Sequence, residues 1–323
     1  MADELDLLRD ADPVPADGPH FGDGPLDHGA ERQLNRLLHA TDPGRSRRAP
    51  WAWGLATTAV VAATALALLL GGPATAPAVA APRPLTVRAG STPVPLDRLA
   101  ELAAAAAADG EPALLKGTHV QSWSLGMSDD APPVTLPEER IVRWTADDRH
   151  TELVVATDPR HPGRPVLSDA GGEPRPVEDG RVISRRAFPP TWSDAPPEAR
   201  PPHDARHLRG YLLESAYAES LTTPELLDAV GRLLDHWTLG ARESAALVRV
   251  LADTEGLRPA GQVTDRLGRS GQAYVYQAAG ARRMLIMDPG TGAVLGLEAT
   301  FTADQPEYGV RAGDVMEYSA WMR

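Results

Sequence analysis

The chain has 323 residues, a length that allows one large domain or two ordinary ones. It contains no cysteine, which excludes disulfides, thiolate zinc sites, iron–sulfur clusters and a cysteine nucleophile. Its 44 acidic and 32 basic residues give a net charge of −12, which argues against broad nucleic-acid binding because phosphate contacts require a basic surface.

Residues 1–48 form a polar head that is divided by charge. Nine acidic residues and one Arg give residues 1–31 a net charge of −8, whereas five Arg and one Asp give residues 32–48 a net charge of +4. Two leucine clusters interrupt the head, the second with the i, i+3, i+4 spacing of one helix face: Leu5, Leu7, Leu8, and Leu34, Leu37, Leu38. We expect a largely disordered head with short helices, which either only sets topology or folds on a partner.

Residues 51–70 form an uninterrupted apolar run, WAWGLATTAVVAATALALLL. Twenty helical residues at about 1.5 Å each match a hydrocarbon core of about 30 Å. Trp51 and Trp53 at one end suit the headgroup region, and Gly71-Gly72-Pro73 ends the helix at the other. We therefore predict a single transmembrane helix within residues 49–72, in preference to a buried helix of a soluble domain.

The charges that flank this run predict its orientation. Arg45, Arg47 and Arg48 precede it, and the next charged residue after it is Arg83. The positive-inside bias places the head in the cytoplasm and the C-terminal bulk outside the cell membrane. The competing interpretation is a signal sequence cut after Ala80, but its leading segment would be some 48 residues long, so an uncut anchor is favoured.

Residues 73–95 are rich in Ala and Pro and predict a linker of polyproline character before an extracytoplasmic domain at 96–323. The Ala-rich stretch 96–108 predicts a helix. Alternating residues then predict strands at 118–125, 140–145 and 151–156, the last two pairing antiparallel across a short turn. The following stretch, 157–206, is expected to be mostly surface loop with a small strand near 181–184.

The remainder of the chain predicts three helices and then a second group of strands. Helical periodicity marks residues 208–217, 224–237 and 241–254, with Thr223 as the cap of the second helix. Alternation and turn residues mark strands at 262–265, 271–277, 283–287, 294–302 and 315–321, with a hairpin turn at 288–292. The expected fold class is α+β, with a curved antiparallel sheet of about seven or eight strands packed on helices on one face.

No catalytic constellation, cofactor site or metal site stands out from the sequence, and we expect no enzyme. His203 and His207 have the spacing of a metal pair, but prolines precede them and no third ligand is near. Strand aromatics are expected to be core residues in preference to lining a groove for an acyl chain or an apolar peptide. They are Trp123, Trp144, Tyr274, Tyr276 and Trp321.

Two C-terminal stretches carry a family resemblance: ALVRVLADTEGLRPAGQVTDRLGRSGQAYVYQ and RRMLIMDPGTGAVLGLE. They resemble a family of actinobacterial single-pass membrane proteins whose genes accompany extracytoplasmic-function sigma factors. The order of acidic head, Arg-flanked span and large outer domain is similar along about the whole chain. The outer domain more distantly resembles lipoprotein-carrier and sigma-regulator sheet folds, which implies a binding groove and no reaction.

The resemblance implies a membrane-anchored regulator similar to anti-sigma factors, although the zinc-binding head of the common kind is excluded because the chain has no cysteine. The acidic head would face the basic DNA-binding surface of a sigma factor. Its leucine clusters are the expected contacts, and an envelope protein or lipid is the expected outer ligand. The alternative is a membrane-tethered binding or lipid-carrier module with no cytoplasmic signalling.

Overall fold

A computed structural model describes residues 82–128, 131–190, 193–278 and 280–323. The predicted head and transmembrane helix lie outside these residues, so their predictions stand as made. Within the described ranges, no helix combines the length and apolar character that crossing a membrane requires.

One antiparallel sheet of ten strands organises the described chain. The strands of the chain are β1 (Leu115–Gly126), β2 (Val134–Trp144), β3 (His150–Ala156), β4 (Val166–Ser168), β5 (Arg175–Val177), β6 (Arg181–Phe188), β7 (Trp237–Thr238), β8 (Arg258–Thr264), β9 (Ser270–Gln277), β10 (Ala281–Met287), β11 (Val294–Phe301) and β12 (Val315–Met322). The sheet order is β6-β3-β2-β1-β12-β11-β10-β9-β8, and β7 pairs with β1. The short strands β4 and β5 form a separate hairpin.

Four helices accompany the sheet: α1 (Leu96–Ala106), α2 (Ala205–Ser215), α3 (Thr223–Leu234) and α4 (Ala241–Ala252). Their apolar residues form one core with side chains from the sheet, and we call the side of the sheet that they cover the helix face. Leu99 and Leu247 have no exposed surface there, and Tyr274 reaches them from β9. The predicted α+β class, with a curved antiparallel sheet on helices, is confirmed for this part of the chain.

The start of α3 differs slightly from its prediction. The N-cap is Thr222, one residue before the predicted Thr223, and its backbone N–H donates to the Glu225 carboxylate at 2.7 Å. Thr223 instead donates its hydroxyl to the carbonyl oxygen of Glu255 at 2.6 Å. Both neighbouring threonines suit a cap chemically, so the sequence alone does not distinguish them.

The other side of the sheet, here called the second face, also carries a buried core. Trp123, Tyr318, Met284 and Ile286 are at most 1% exposed, and they pack with Leu85, Val87 and Leu267, which lie outside the strands. The prediction placed a cover on one face only. The second cover was missed because it comes from irregular segments that have no periodicity.

Residues 83–91 supply part of that cover, and we call them the strap. They fall in the predicted linker, contain no helix or strand, and run beside β8. The Arg88 N–H donates to the Gln262 carbonyl at 2.7 Å, and the Gln262 N–H donates to the Ser91 hydroxyl at 3.0 Å. Gly261 permits this approach, because a Cβ there would lie 2.5 Å from Ser91 Oγ.

One strand and one helix differ in extent from their predictions. β2 begins at Val134 and contains Pro137, a residue that argues against a strand interior. The Pro137 carbonyl accepts from the Thr157 N–H at 3.3 Å, on the side away from β1. The N–H and the carbonyl of one residue in an antiparallel strand point to the same side, so the N–H that proline lacks would also have pointed away from β1. Proline is therefore tolerated at this position. The helix predicted to reach residue 237 ends at Leu234, and Trp237 pairs with β1 instead.

Candidate functional site

The strand aromatics are mostly core residues, as predicted. Trp123 lies in the second-face core, and Tyr274 and Trp321 lie in the helix-face core. Tyr274 donates its hydroxyl to the Val94 carbonyl at 3.0 Å, and Trp321 donates its indole N–H to Asp235 at 3.2 Å. Tyr276 is half-buried against the helix-face core. These rings therefore mainly fill the two cores.

A cavity of about 110 Å³ lies where α3, β7 and α4 meet β11 and β12. Trp237, Trp321 and Arg269 line it. The Arg269 guanidinium donates to the carbonyls of Trp321 and Leu295, each at 2.6 Å, and to Asp265 at 2.7 Å. The cavity is well below the roughly 300–1,000 Å³ of small-molecule sites, and Arg269 is already bonded to the protein.

Two aspartates within the stretches that carry the family resemblance, Asp265 and Asp288, close turns. Asp265 accepts from the N–H groups of Leu267 and Arg269 at 2.9 and 2.7 Å, which closes the β8–β9 turn. Asp288 accepts from the N–H groups of Gly290 and Thr291 at 2.9 and 2.7 Å, which confirms the predicted hairpin turn. These contacts stabilise the fold and give no chemistry to a site.

A buried ion pair joins the strap to the second face. The Arg266 and Glu298 side chains are 5% and 0% exposed and contact each other directly. Glu298 also accepts from the Leu85 N–H at 2.8 Å, and Arg266 donates to the Arg83 carbonyl at 2.9 Å. Burial raises the pKa of Glu298 and lowers the pKa of Arg266, and each partner's charge opposes that shift.

A stack of aromatic rings occupies the helix face at the β2–β3–β6 end of the sheet. The His150 ring lies between Trp144 and Phe188, with centroid distances of 4.2 and 4.3 Å. The Lys116 ammonium sits 3.6 Å from the Trp144 ring centroid. Burial lowers the pKa of His150, although the charges of Glu152 and Glu198 oppose the shift. Trp144 was expected in the core and is instead half-buried in this stack.

The same end of the sheet stops at the edge strand β6, which the sequence indicated only near residues 181–184. The observed strand has eight residues and is largely exposed. Three of them are exposed arginines, Arg181, Arg185 and Arg186, and none forms an ion pair within the described part of the chain. Val182, between them, is 44% exposed. This edge is the candidate binding surface.

Sequence reasoning missed the ring stack and the length of this edge. Phe188 stacks on His150 through the β3–β6 pairing, and the two strands are separated by the loop and hairpin between residues 156 and 181. The exposed pattern of β6 also lacks the apolar alternation that predicts a half-buried strand. The available signal was the cluster of arginines around small apolar residues.

Some of the remaining residues that the sequence singled out lie in the described part of the chain, and the others lie outside it. His207 contacts Asp204 at 2.9 Å through its Nδ1 at the start of α2, and His203 is exposed in the preceding loop. Within the described ranges, no group of three or more His, Asp or Glu residues could hold a metal ion. The predicted partner-contact and topology residues lie outside the described residues: Leu5, Leu7, Leu8, Leu34, Leu37, Leu38, Arg45, Arg47, Arg48, Trp51 and Trp53.

Comparisons with known proteins do not assign a family. No family model matches the chain, and no curated protein matches it. Among solved structures, the dehydratase domain from the CurK module of curacin polyketide synthase is 10% identical, with 74% of this chain and 84% of that chain covered. Its TM-score of 0.11 is too low for the likeness to bear on fold or reaction.

Proposed function

We propose that the chain is a single-pass membrane-anchored regulator, similar in plan to an anti-sigma factor, whose outer domain binds a protein ligand. The observation that carries the proposal is the exposed, basic edge strand β6 on a domain whose two faces hold packed cores. Such an edge suits binding by main-chain pairing, and the filled cores favour binding over catalysis in a deep pocket.

The sequence supplies the two other parts of the proposal. The apolar run at 51–70, preceded by Arg45, Arg47 and Arg48, supports a membrane anchor with the head in the cytoplasm. The acidic head and its leucine clusters support a partner with a basic surface, for which a sigma factor is the proposed example. A ligand on the outer domain would then change how the head holds that partner.

The lipid-carrier alternative differs in where function resides. A carrier needs room for an acyl chain, and the cavity where α3, β7 and α4 meet β11 and β12 does not provide it, because it measures about 110 Å³ and its Arg269 is bonded to backbone carbonyls. Within the described residues, this cavity therefore gives no support to the carrier alternative. The alternative predicts that deletion of residues 2–30 leaves function intact, whereas the regulator loses its cytoplasmic partner.

The test is crosslinking in native membranes followed by capture through an N-terminal tag. We expect a sigma factor among the captured proteins, identified by mass spectrometry. Replacing Leu34, Leu37 and Leu38 with Ser should abolish this capture, because it removes the apolar face of the second cluster. The matched control is Leu26→Ser, a leucine outside both clusters. Capture of envelope proteins alone, or equal capture by the triple variant, would refute the cytoplasmic part of the proposal.

A further inference from the structure

We propose that β6 binds an extended acidic segment of a partner protein, which pairs with the strand and adds an eleventh strand to the sheet. The inference rests on the proposed function in one respect, namely that the outer domain binds a protein. It goes further because it names the surface, the conformation of the ligand and its charge.

The first step is the contrast between the two ends of the sheet. β8, at one end, is covered by the strap, which hydrogen-bonds to Gln262 on both its N–H and its carbonyl. β6, at the other end, pairs with β3 and has no second neighbouring strand within the described sheet. The end strand of an antiparallel sheet directs half of its backbone polar groups outward, so β6 offers a template for another strand.

The second step is the charge of this edge. Arg185 lies opposite Leu153 on the second face, whereas Arg186 lies opposite Glu152 on the helix face. Glu152 already contacts Arg140, so it does not neutralise the edge. β6 contains three arginines and no acidic residue, in a chain whose net charge is −12. An added strand with its carboxylates on the helix-face side would therefore bring them to the Arg186 guanidinium and leave its other side for the second face.

The third step is the apolar surface beside the arginines. Val182 is 44% exposed on β6. On the second face, Leu153 of β3 lies beside Arg185, and Ile141 of β2 lies beside Leu153. Leu153 and Ile141 form a row of half-buried apolar side chains. An added strand would place its own side chains next to this row, so β-branched residues suit the positions between the acidic ones. A segment alternating acidic and β-branched residues fits best.

The competing explanation is that the arginines only prevent uncontrolled pairing of an exposed edge, a common use of edge charges. Hydrogen exchange distinguishes the two, because a paired strand protects its backbone N–H groups. The experiment uses the full chain in detergent, with a blocked decapeptide of alternating Glu and Val as the probe. A decapeptide of alternating Lys and Val tests the dependence on charge.

We expect the Glu-Val peptide to slow exchange in residues 181–188 by about tenfold or more, and the Lys-Val peptide to leave it unchanged. Replacing Arg181, Arg185 and Arg186 with Gln should weaken peptide binding by about tenfold and remove the protection. The matched control replaces Arg206, Arg209 and Arg232, which are exposed on α2 and α3, with Gln. It should retain both the peptide binding and the protection of residues 181–188.

Three outcomes would overturn the inference: no protection of 181–188, equal protection by the Lys peptide, or equal loss in the control variant. Capture of the sigma factor through the N-terminal tag is read separately in the same variants. If the sigma factor is captured but the peptide does not slow exchange in residues 181–188, only the edge site is refuted. If the peptide slows exchange but no sigma factor is captured, the regulator proposal is refuted and the edge site stands. An unchanged melting temperature of the Gln variant verifies that its fold is intact.

Discussion

Arg266 and Glu298 illustrate how single residues stabilise the second face. Both ions are removed from water, and the strap supplies two of their hydrogen bonds, through the Leu85 N–H and the Arg83 carbonyl. Their mutual attraction in a low-dielectric interior offsets the cost of desolvation only while both are present. Loss of one partner leaves a buried charge with no compensation, and it also weakens the attachment of the strap.

We therefore expect Glu298→Gln to lower the free energy of unfolding by roughly 3–5 kcal/mol. Replacing both Arg266 and Glu298 with Leu should cost much less, because no charge is then left buried. Urea unfolding of the three proteins, compared by midpoint and slope, measures the difference. A Glu298→Gln variant as stable as the parent would contradict the importance of the pair.

His150 predicts a pH dependence of stability. Because burial lowers its pKa in the folded domain, the unfolded chain binds the proton more tightly. The contribution of neutral His150 to the free energy of unfolding is therefore fully present above the ordinary pKa of 6.5. It is lost as the pH falls through the lower pKa of the folded domain. The loss for one proton is at most about 1.4 kcal/mol per pH unit.

The variant His150→Phe keeps a flat ring between Trp144 and Phe188 but cannot titrate. We expect thermal unfolding between pH 5 and 6.5 to show a shallower pH dependence than in the parent. His203→Gln, which removes an exposed histidine, is the control for the loss of a histidine elsewhere. The same slope in His150→Phe and the parent would show that the stack does not shift this titration.

At the scale of elements, the hairpin turn between β10 and β11 shows how local chemistry and packing combine. Asp288 closes the turn, and Gly292 at φ +70° lets the chain pass beneath the helices. A Cβ on Gly292 would lie 2.5 Å from Val248 Cγ2 on α4 and 2.8 Å from Ala103 Cβ on α1. The turn is therefore wedged against two helices, and only glycine fits there.

Gly292→Ala should destabilise the domain by roughly 2–5 kcal/mol, the sum of left-handed strain and overpacking. Gly268→Ala is the matched control, since its φ is +80° and nothing lies within 4 Å of the added Cβ. It should cost only the strain, about 1–2 kcal/mol. Equal losses in the two variants, measured by chemical unfolding, would mean that the helices yield to the extra methyl group.

The success of sequence prediction also differed by element. The helix at 241–254 and the C-terminal hairpins were found because their apolar periodicity and glycine turns are local signals. The strap, β7 and most of β6 were missed because their structure depends on distant partners, such as Gln262 for the strap and Lys116 for Trp237. The candidate edge site was therefore predictable as a small strand near 181–184, but not as a surface.

At the scale of the whole molecule, the absence of cysteine makes the predicted topology easy to test. A single cysteine introduced as Ser220→Cys lies on an exposed loop of the domain that is predicted to be extracytoplasmic. Ser46→Cys places one among the arginines before the apolar run. In intact cells, a membrane-impermeant maleimide should label Ser220→Cys several-fold more than Ser46→Cys, and permeabilisation should remove the difference. Equal labelling before permeabilisation would contradict the orientation.

The position of β12 has a consequence for how the domain is made. β12 lies between β1 and β11, so this single strand joins the β1–β2–β3–β6 portion of the sheet to the β8–β11 portion. Neither portion can complete its backbone hydrogen bonding before β12 is in place, and the pairing of β12 with the distant β1 makes folding slow. Until β12 is in place, β1 and β11 therefore keep unpaired edges that could pair with other chains.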